Sequence, residues 1–214
     1  LADFNGDGLL DLLVLGGATN HLALTLFFGD GSGQFTSGVA LPNSNREASL
    51  LKSPRGFRLA DLDLDGDLDA VVFGDGVQML INDGKGQFTL ANLPVAGLQT
   101  SGLAGVEVVD LNGDLVPDLL LIERSPVFRI AILTGALSPG ASAVAIQPTG
   151  IRSRDGRTRS PASGYGVTLT ARAGLREAKL YYTGLNGGPN QSSVPAVLGL
   201  GGAREADYVQ LLWP

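Results

Sequence analysis

Five aspartates stand at alternate positions, Asp61, Asp63, Asp65, Asp67 and Asp69, in the segment 61–69 (DLDLDGDLD). Carboxylates packed that closely repel one another unless protons or a cation relieve them. Calcium is the natural relief, because it takes about 6–8 oxygen ligands at roughly 2.3–2.6 Å and alternate oxygens of a tight loop can wrap around it. The pattern recurs at 3–11 (DFNGDGLLD) and 110–118 (DLNGDLVPD), with loop starts 58 and 49 residues apart. Asp3, Asn5 and Asp7, Asp61, Asp63 and Asp65, and Asp110, Asn112 and Asp114 fill positions 1, 3 and 5. Position 7 (Leu9, Asp67, Val116) would offer a main-chain carbonyl, and position 9 (Asp11, Asp69, Asp118) a closing carboxylate. Gly8 and Gly66 at position 6 permit a sharp turn, since glycine accepts left-handed backbone angles. Leu115 takes that place in the third loop and Pro117 stiffens it, which makes this copy the weakest.

Magnesium suits these loops less well, because it demands strict octahedral geometry and retains waters. With no cysteine and one histidine, softer transition metals have few ligands. An EF-hand begins with the same spacing but needs Glu at position 12, where this chain has Val14, Val72 and Leu121, and helices on either side. The alternative, that these aspartates are ordinary turn formers, stays open, but three copies in register weigh against it.

Each loop is followed by a short apolar run, 12–15 (LLVL), 70–73 (AVVF) and 119–122 (LLLI), whose length and composition predict buried strands. The preceding segments 57–62 and 106–111 read as partner strands, so each loop joins the two strands of a hairpin. Segments 27–35 (FFGDGSGQF) and 81–88 (INDGKGQF) predict a strand, a glycine turn and an aromatic returning to the core. In the third copy 130–135 keeps only the strand. A repeat of this length matches a β-propeller blade better than a helical solenoid.

Around residue 150 the character changes. Residues 1–150 carry 17 acids and 7 bases, net −10, whereas 151–214 carry 4 acids and 8 bases, net +4. Alternation at 167–173, 178–183 and 208–213 predicts a small second β domain. The expected division is 1–145 and 146–214, all-β throughout. No long apolar run predicts a membrane span, and the absence of cysteine leaves metal as the available staple. The first repeat lacks its partner strand and the chain begins with Leu1, so an N-terminal truncation is expected.

The three loops, with Phe28-Gly29 and Phe73-Gly74 after them, resemble FG-GAP or VCBS repeats, the blades of integrin-type β-propellers. The resemblance covers residues 1 to about 140. It implies that Asp3, Asn5, Asp7 and Asp11, then Asp61, Asp63, Asp65 and Asp69, then Asp110, Asn112, Asp114 and Asp118 are side-chain calcium ligands, in up to three sites. The C-terminal part resembles an ASPIC/UnbV domain through 166–170 (GVTLT), Gln191-Ser192-Ser193, Gly199-Leu200-Gly201 and 209–214 (VQLLWP). It departs from that family in its Arg154-Asp155-Gly156 lead-in and in lacking a histidine before Gly199.

Other constellations carry less. His21 has no positioned serine or nucleophile-elbow motif. Arg152, Arg154, Arg157 and Arg159 read as a solvated loop or a docking patch for acids, and without interleaved aromatics they give no support for nucleic acid. Tyr181, Tyr182 and Trp213 could stack a sugar, but alternation sends neighbours to opposite faces. The leading expectation is a secreted, extracellular or periplasmic calcium-binding interaction or scaffolding protein, presenting a surface to a protein, a glycan or itself. A structural subunit of a larger assembly is the second. An enzyme acting on polysaccharide or a secondary metabolite is the third, carried by fold analogy alone.

Overall fold

The computed structural model describes residues 1–18, 21–44, 49–93, 103–124, 128–150, 163–183 and 195–214. Among them the chain is all-β, with fifteen strands and no helix. The first ten strands form three consecutive blade-like sheets. Strands β1 (Leu12–Ala18), β2 (His21–Phe27) and β3 (Val39–Leu41) make the first, and β4 (Gly56–Ala60), β5 (Asp69–Phe73), β6 (Val77–Asn82) and β7 (Phe88–Asn92) the second. The third has β8 (Leu103–Val109), β9 (Asp118–Glu123) and β10 (Arg129–Leu133). All pairings are antiparallel, and the second and third aspartate loops connect β4 to β5 and β8 to β9. In the first copy an isolated bridge between Ala2 and Asp11 takes the place of the inner strand.

Strand β5 explains why an apolar run rather than an alternation follows the loop. All five of its residues are buried, because the middle blade is covered on both faces. Ala70 and Val72 pack with Leu13, Leu24 and Leu26 of the first blade, whereas Val71 and Phe73 pack with Val106, Leu119 and Leu121 of the third. The period-2 geometry of a strand thus serves two cores at once. Between the second and third blades Arg58 makes a two-pronged contact with Glu107, at 3.1 and 2.8 Å, under the ring of Phe73.

The aromatics after the glycine turns diverge. Phe88 is wholly buried, edge-on to Phe4 of the first loop at 5.9 Å between centroids. Phe35, which the repeat predicts to do the same, is 42% exposed: the first blade has no preceding loop among the described residues to lie over it.

The remaining strands form two small sheets, β11 (Ser142–Ile146) with β14 (Ala196–Gly201), and β13 (Arg176–Tyr182), β12 (Val167–Ala173) and β15 (Tyr208–Leu212) in that spatial order. They share a separate core that includes Leu169, Ala178, Tyr182 and Leu198. Most of β11 precedes residue 146, so this unit draws in chain from before that point. Arg152, Arg154, Arg157, Arg159 and Gln191-Ser192-Ser193 lie outside the described residues, as does the side chain of His21, where β2 begins. Tyr182 is buried against Tyr165, while Tyr181 faces the other way beneath the ammonium of Lys179. Trp213 packs against the same core.

Candidate metal centre

The three loops share a scaffold of side-chain to backbone hydrogen bonds. Position 3 accepts from the N–H of position 5 (Asn5 from Asp7, Asp63 from Asp65, Asn112 from Asp114), at 3.1, 3.3 and 3.0 Å. Position 5 accepts from the N–H of position 7 (Asp7 from Leu9, Asp65 from Asp67, Asp114 from Val116), at 2.8, 3.0 and 2.8 Å. These nested turns bring the polar side chains to one side of the loop, which is what alternate spacing requires.

Each loop also needs left-handed backbone at positions 4 and 6. Gly6 and Gly8 supply it in the first, Leu64 and Gly66 in the second, Gly113 and Leu115 in the third, with φ from 61° to 102°. A non-glycine residue there is uncommon and carries a steric cost. Leu115 therefore adopts the glycine-like angle rather than abolishing the turn. The sequence gives no warning that Leu64 does so as well.

Position 9 has a different geometry from positions 1, 3 and 5. Asp11, Asp69 and Asp118 are fully buried. One oxygen of each accepts from the N–H at position 2 (Phe4, Leu62, Leu111) at 2.8, 2.7 and 2.9 Å. The other accepts from an amide farther along the repeat (Gly29, Asn82, Gly135) at 3.0, 2.8 and 2.8 Å. This carboxylate is a clasp tying the loop to its own blade. Those distant amide partners carry no side-chain signal.

The loops differ at position 1. Asp3 and Asp110 each have both oxygens capped from within their own loop, by Gly6 and Gly8 and by Gly113 and Leu115. Asp61 does not. Its Oδ2 accepts from Gly66 at 3.0 Å and from Gly199 of β14 at 2.8 Å, and its Oδ1 is buried with no hydrogen-bond partner. They also differ at position 3. Asn5 and Asn112 donate Nδ2–H to Asp7 and Asp114 at 2.9 and 2.8 Å, but Asp63 opposite Asp65 is a second carboxylate with no amide to give.

Of the three loops the second therefore holds the largest demand for positive charge, met only in part by the Arg176 guanidinium 3.9 Å from Asp65 Oδ2. Asp61, Asp63 and Asp65 place carboxylate oxygens within 4.8 Å of one another. Burial, then the charges of its neighbours, pushes the Asp61 carboxyl up to about 7, Asp67 to about 6 and Asp69 to about 8. Asp63 is raised by burial and by Asp65, and Asp11 by burial. An orphaned buried oxygen beside two further carboxylates fits a hard, oxygen-seeking cation, so these three residues could hold a metal ion.

A cleft of about 290 Å³ runs beside this loop, where β4 and β8 meet β13 and β14; Asp61, Asp110, Val108, Tyr182 and Pro195 are among its walls. No helix of the described residues is long and apolar enough to cross a membrane, a statement that does not bear on β-barrels.

The sequence model of the FG-GAP-like repeat matches residues 3–72 and again 61–121. Each match runs from one aspartate loop through the next, and the second loop is common to both. The comparison with curated proteins found no match.

Proposed function

Because the chain belongs to the FG-GAP-like repeat family, we propose that it is a calcium-binding extracellular or periplasmic interaction protein whose metal loops brace the blades that carry a protein- or glycan-binding surface. The observation that carries this reading is Asp61 Oδ1, buried and without a partner beside Asp63 and Asp65. A bound Ca²⁺ would supply charge neutralisation and a fixed geometry, and no chemical transformation. Asp61, Asp63 and Asp65, with the Asp67 carbonyl, would hold it in the second loop. Asp3, Asn5, Asp7 and the Leu9 carbonyl would do so in the first, and Asp110, Asn112, Asp114 and the Val116 carbonyl in the third. Asp11, Asp69 and Asp118 close these loops through the backbone clasp, with lone pairs left for a metal. The internal hydrogen bonds of the outer loops make the second loop the tightest site.

Residues beyond about 145, with β11, form a second unit. Its resemblance to an ASPIC/UnbV domain rests on the glycines of β14 and on the segments that become β12 and β15. A subunit role in a larger assembly is favoured by two exposed apolar strands. Ile130 and Ile132 of β10 are 56% and 54% exposed, and Val209, Leu211 and Leu212 of β15 are also open to solvent. Native mass measurement separates a monomer from an assembly.

Isothermal titration calorimetry with CaCl₂ on the chelator-stripped chain tests the metal reading. Saturable binding that loses its tightest site in Asp63→Ala/Asp65→Ala supports it; no binding heat at millimolar calcium overturns it.

A further inference from the structure

The second loop is the one that strands β13 and β14 of the C-terminal unit hold. Gly199 donates its N–H to Asp61 Oδ2, and Gly201 donates to the Leu64 carbonyl at 2.9 Å. Arg176 of β13 adds a third anchor, donating to the Asp65 carbonyl at 2.5 Å. The fit is close: a Cβ at Gly199 would overlap the Leu64 backbone and the Asp61 carboxylate, and one at Gly66 would press on the Gly199 carbonyl and Ala178. From this C-terminal unit the first loop receives, among the described residues, only a long contact, Lys179 Nζ to the Gly8 carbonyl at 3.4 Å.

One of these contacts falls on position 1, where the loops differ, and the other two on the carbonyls of positions 4 and 5. In the outer loops an amide of the same loop covers each oxygen of that aspartate, whereas β14 holds Asp61 by Oδ2 from outside and leaves Oδ1 bare next to Asp63 and Asp65. A cation accepted there would neutralise the carboxylate that β14 buries. A docked β14 fixes that carboxylate beside Asp63 and Asp65. Two events that each ease the other are linked, and the linkage is reciprocal.

We propose that the β11–β15 unit is part of the second loop's cation site, with Gly199 as its positioning residue, so that cation binding at Asp61, Asp63 and Asp65 and docking of β14 strengthen each other. The proposal rests on the calcium reading above. In metal-free protein the unit is held more loosely over the loop, and calcium fastens it.

Amide hydrogen exchange on the full chain, with and without calcium and beside calorimetry, tests the coupling. The expected result is slower exchange at Gly199 and Gly201 on adding calcium, absent in Asp63→Ala/Asp65→Ala. Gly199→Ala should weaken the tightest calcium site roughly tenfold or more, within the usual range of such couplings, and leave the weaker sites unchanged. Calcium binding with unaltered exchange at Gly199 and Gly201 overturns the coupling and leaves the calcium reading standing. Absence of any calcium binding overturns the calcium reading itself, and this inference with it.

Discussion

The N–H of Gly199 donates to Asp61 Oδ2 at 2.8 Å across 138 residues of chain. That bond joins the C-terminal β unit to the most acidic loop of the blades. The other Asp61 oxygen is buried without a hydrogen-bond partner among the described residues.

The metal-free protein should lose stability as pH rises. Burial raises Asp61 to about 7 and Asp69 to about 8 in the folded state, against roughly 3.9 for an unfolded aspartate. The folded state therefore binds more protons than the unfolded one across that interval. The stabilisation is full below about pH 4 and is lost as pH climbs through about 8. Denaturant midpoints in chelator at pH 5, 6.5 and 8 should fall in that order. Saturating calcium should flatten or reverse the trend, because the ion takes the place of the protons.

Asp69 and Asp63 should behave differently when truncated. Asp69→Ala strips two backbone amides, Leu62 and Asn82, of their acceptor, and each unpaired buried group costs about 1–3 kcal/mol. The loss should be seen with or without calcium. Asp63→Ala gives up one long, part-buried bond from the Asp65 N–H at 3.3 Å but removes the repulsion with Asp65, so urea unfolding should find the metal-free variant close to the wild type, and clearly destabilised only in calcium. Equal losses for both variants in chelator would contradict the division between clasp and ligand.

Gly8 and Gly113 have φ of 85° and 80°, with open space where a Cβ would lie. Gly8→Ala and Gly113→Ala should therefore each cost about 1–2 kcal/mol through backbone strain alone, as thermal melts can check. A Gly199→Ala variant should cost more, because its methyl has nowhere to go.

The sequence made the strands and loops legible where the signal was local. Alternate aspartates, a glycine at position 6 and the apolar run of β5 all act within a few residues, so composition and spacing expose them. Phe35 and Phe88 show where that ends. The two share a motif, yet only Phe88 meets Phe4 of a neighbouring blade, and burial depends on that neighbour. The clasping role of Asp11, Asp69 and Asp118 was hidden because its partners are backbone amides, which every residue but proline possesses. The docking of β14 was hidden for the same reason, with the paired glycines 199 and 201 as its one trace.

Thermal melting of the full chain in chelator and in millimolar calcium reads how far the metal braces the fold. A ligand at a hundred times its dissociation constant stabilises by about 2.7 kcal/mol per site, and at about 2–4 °C per kcal/mol for a chain of this size one filled loop raises Tm by roughly 5–10 °C. Tm should rise by at least that much in calcium, and by less in Asp63→Ala/Asp65→Ala. An unchanged Tm at millimolar calcium would contradict a bracing role for the metal.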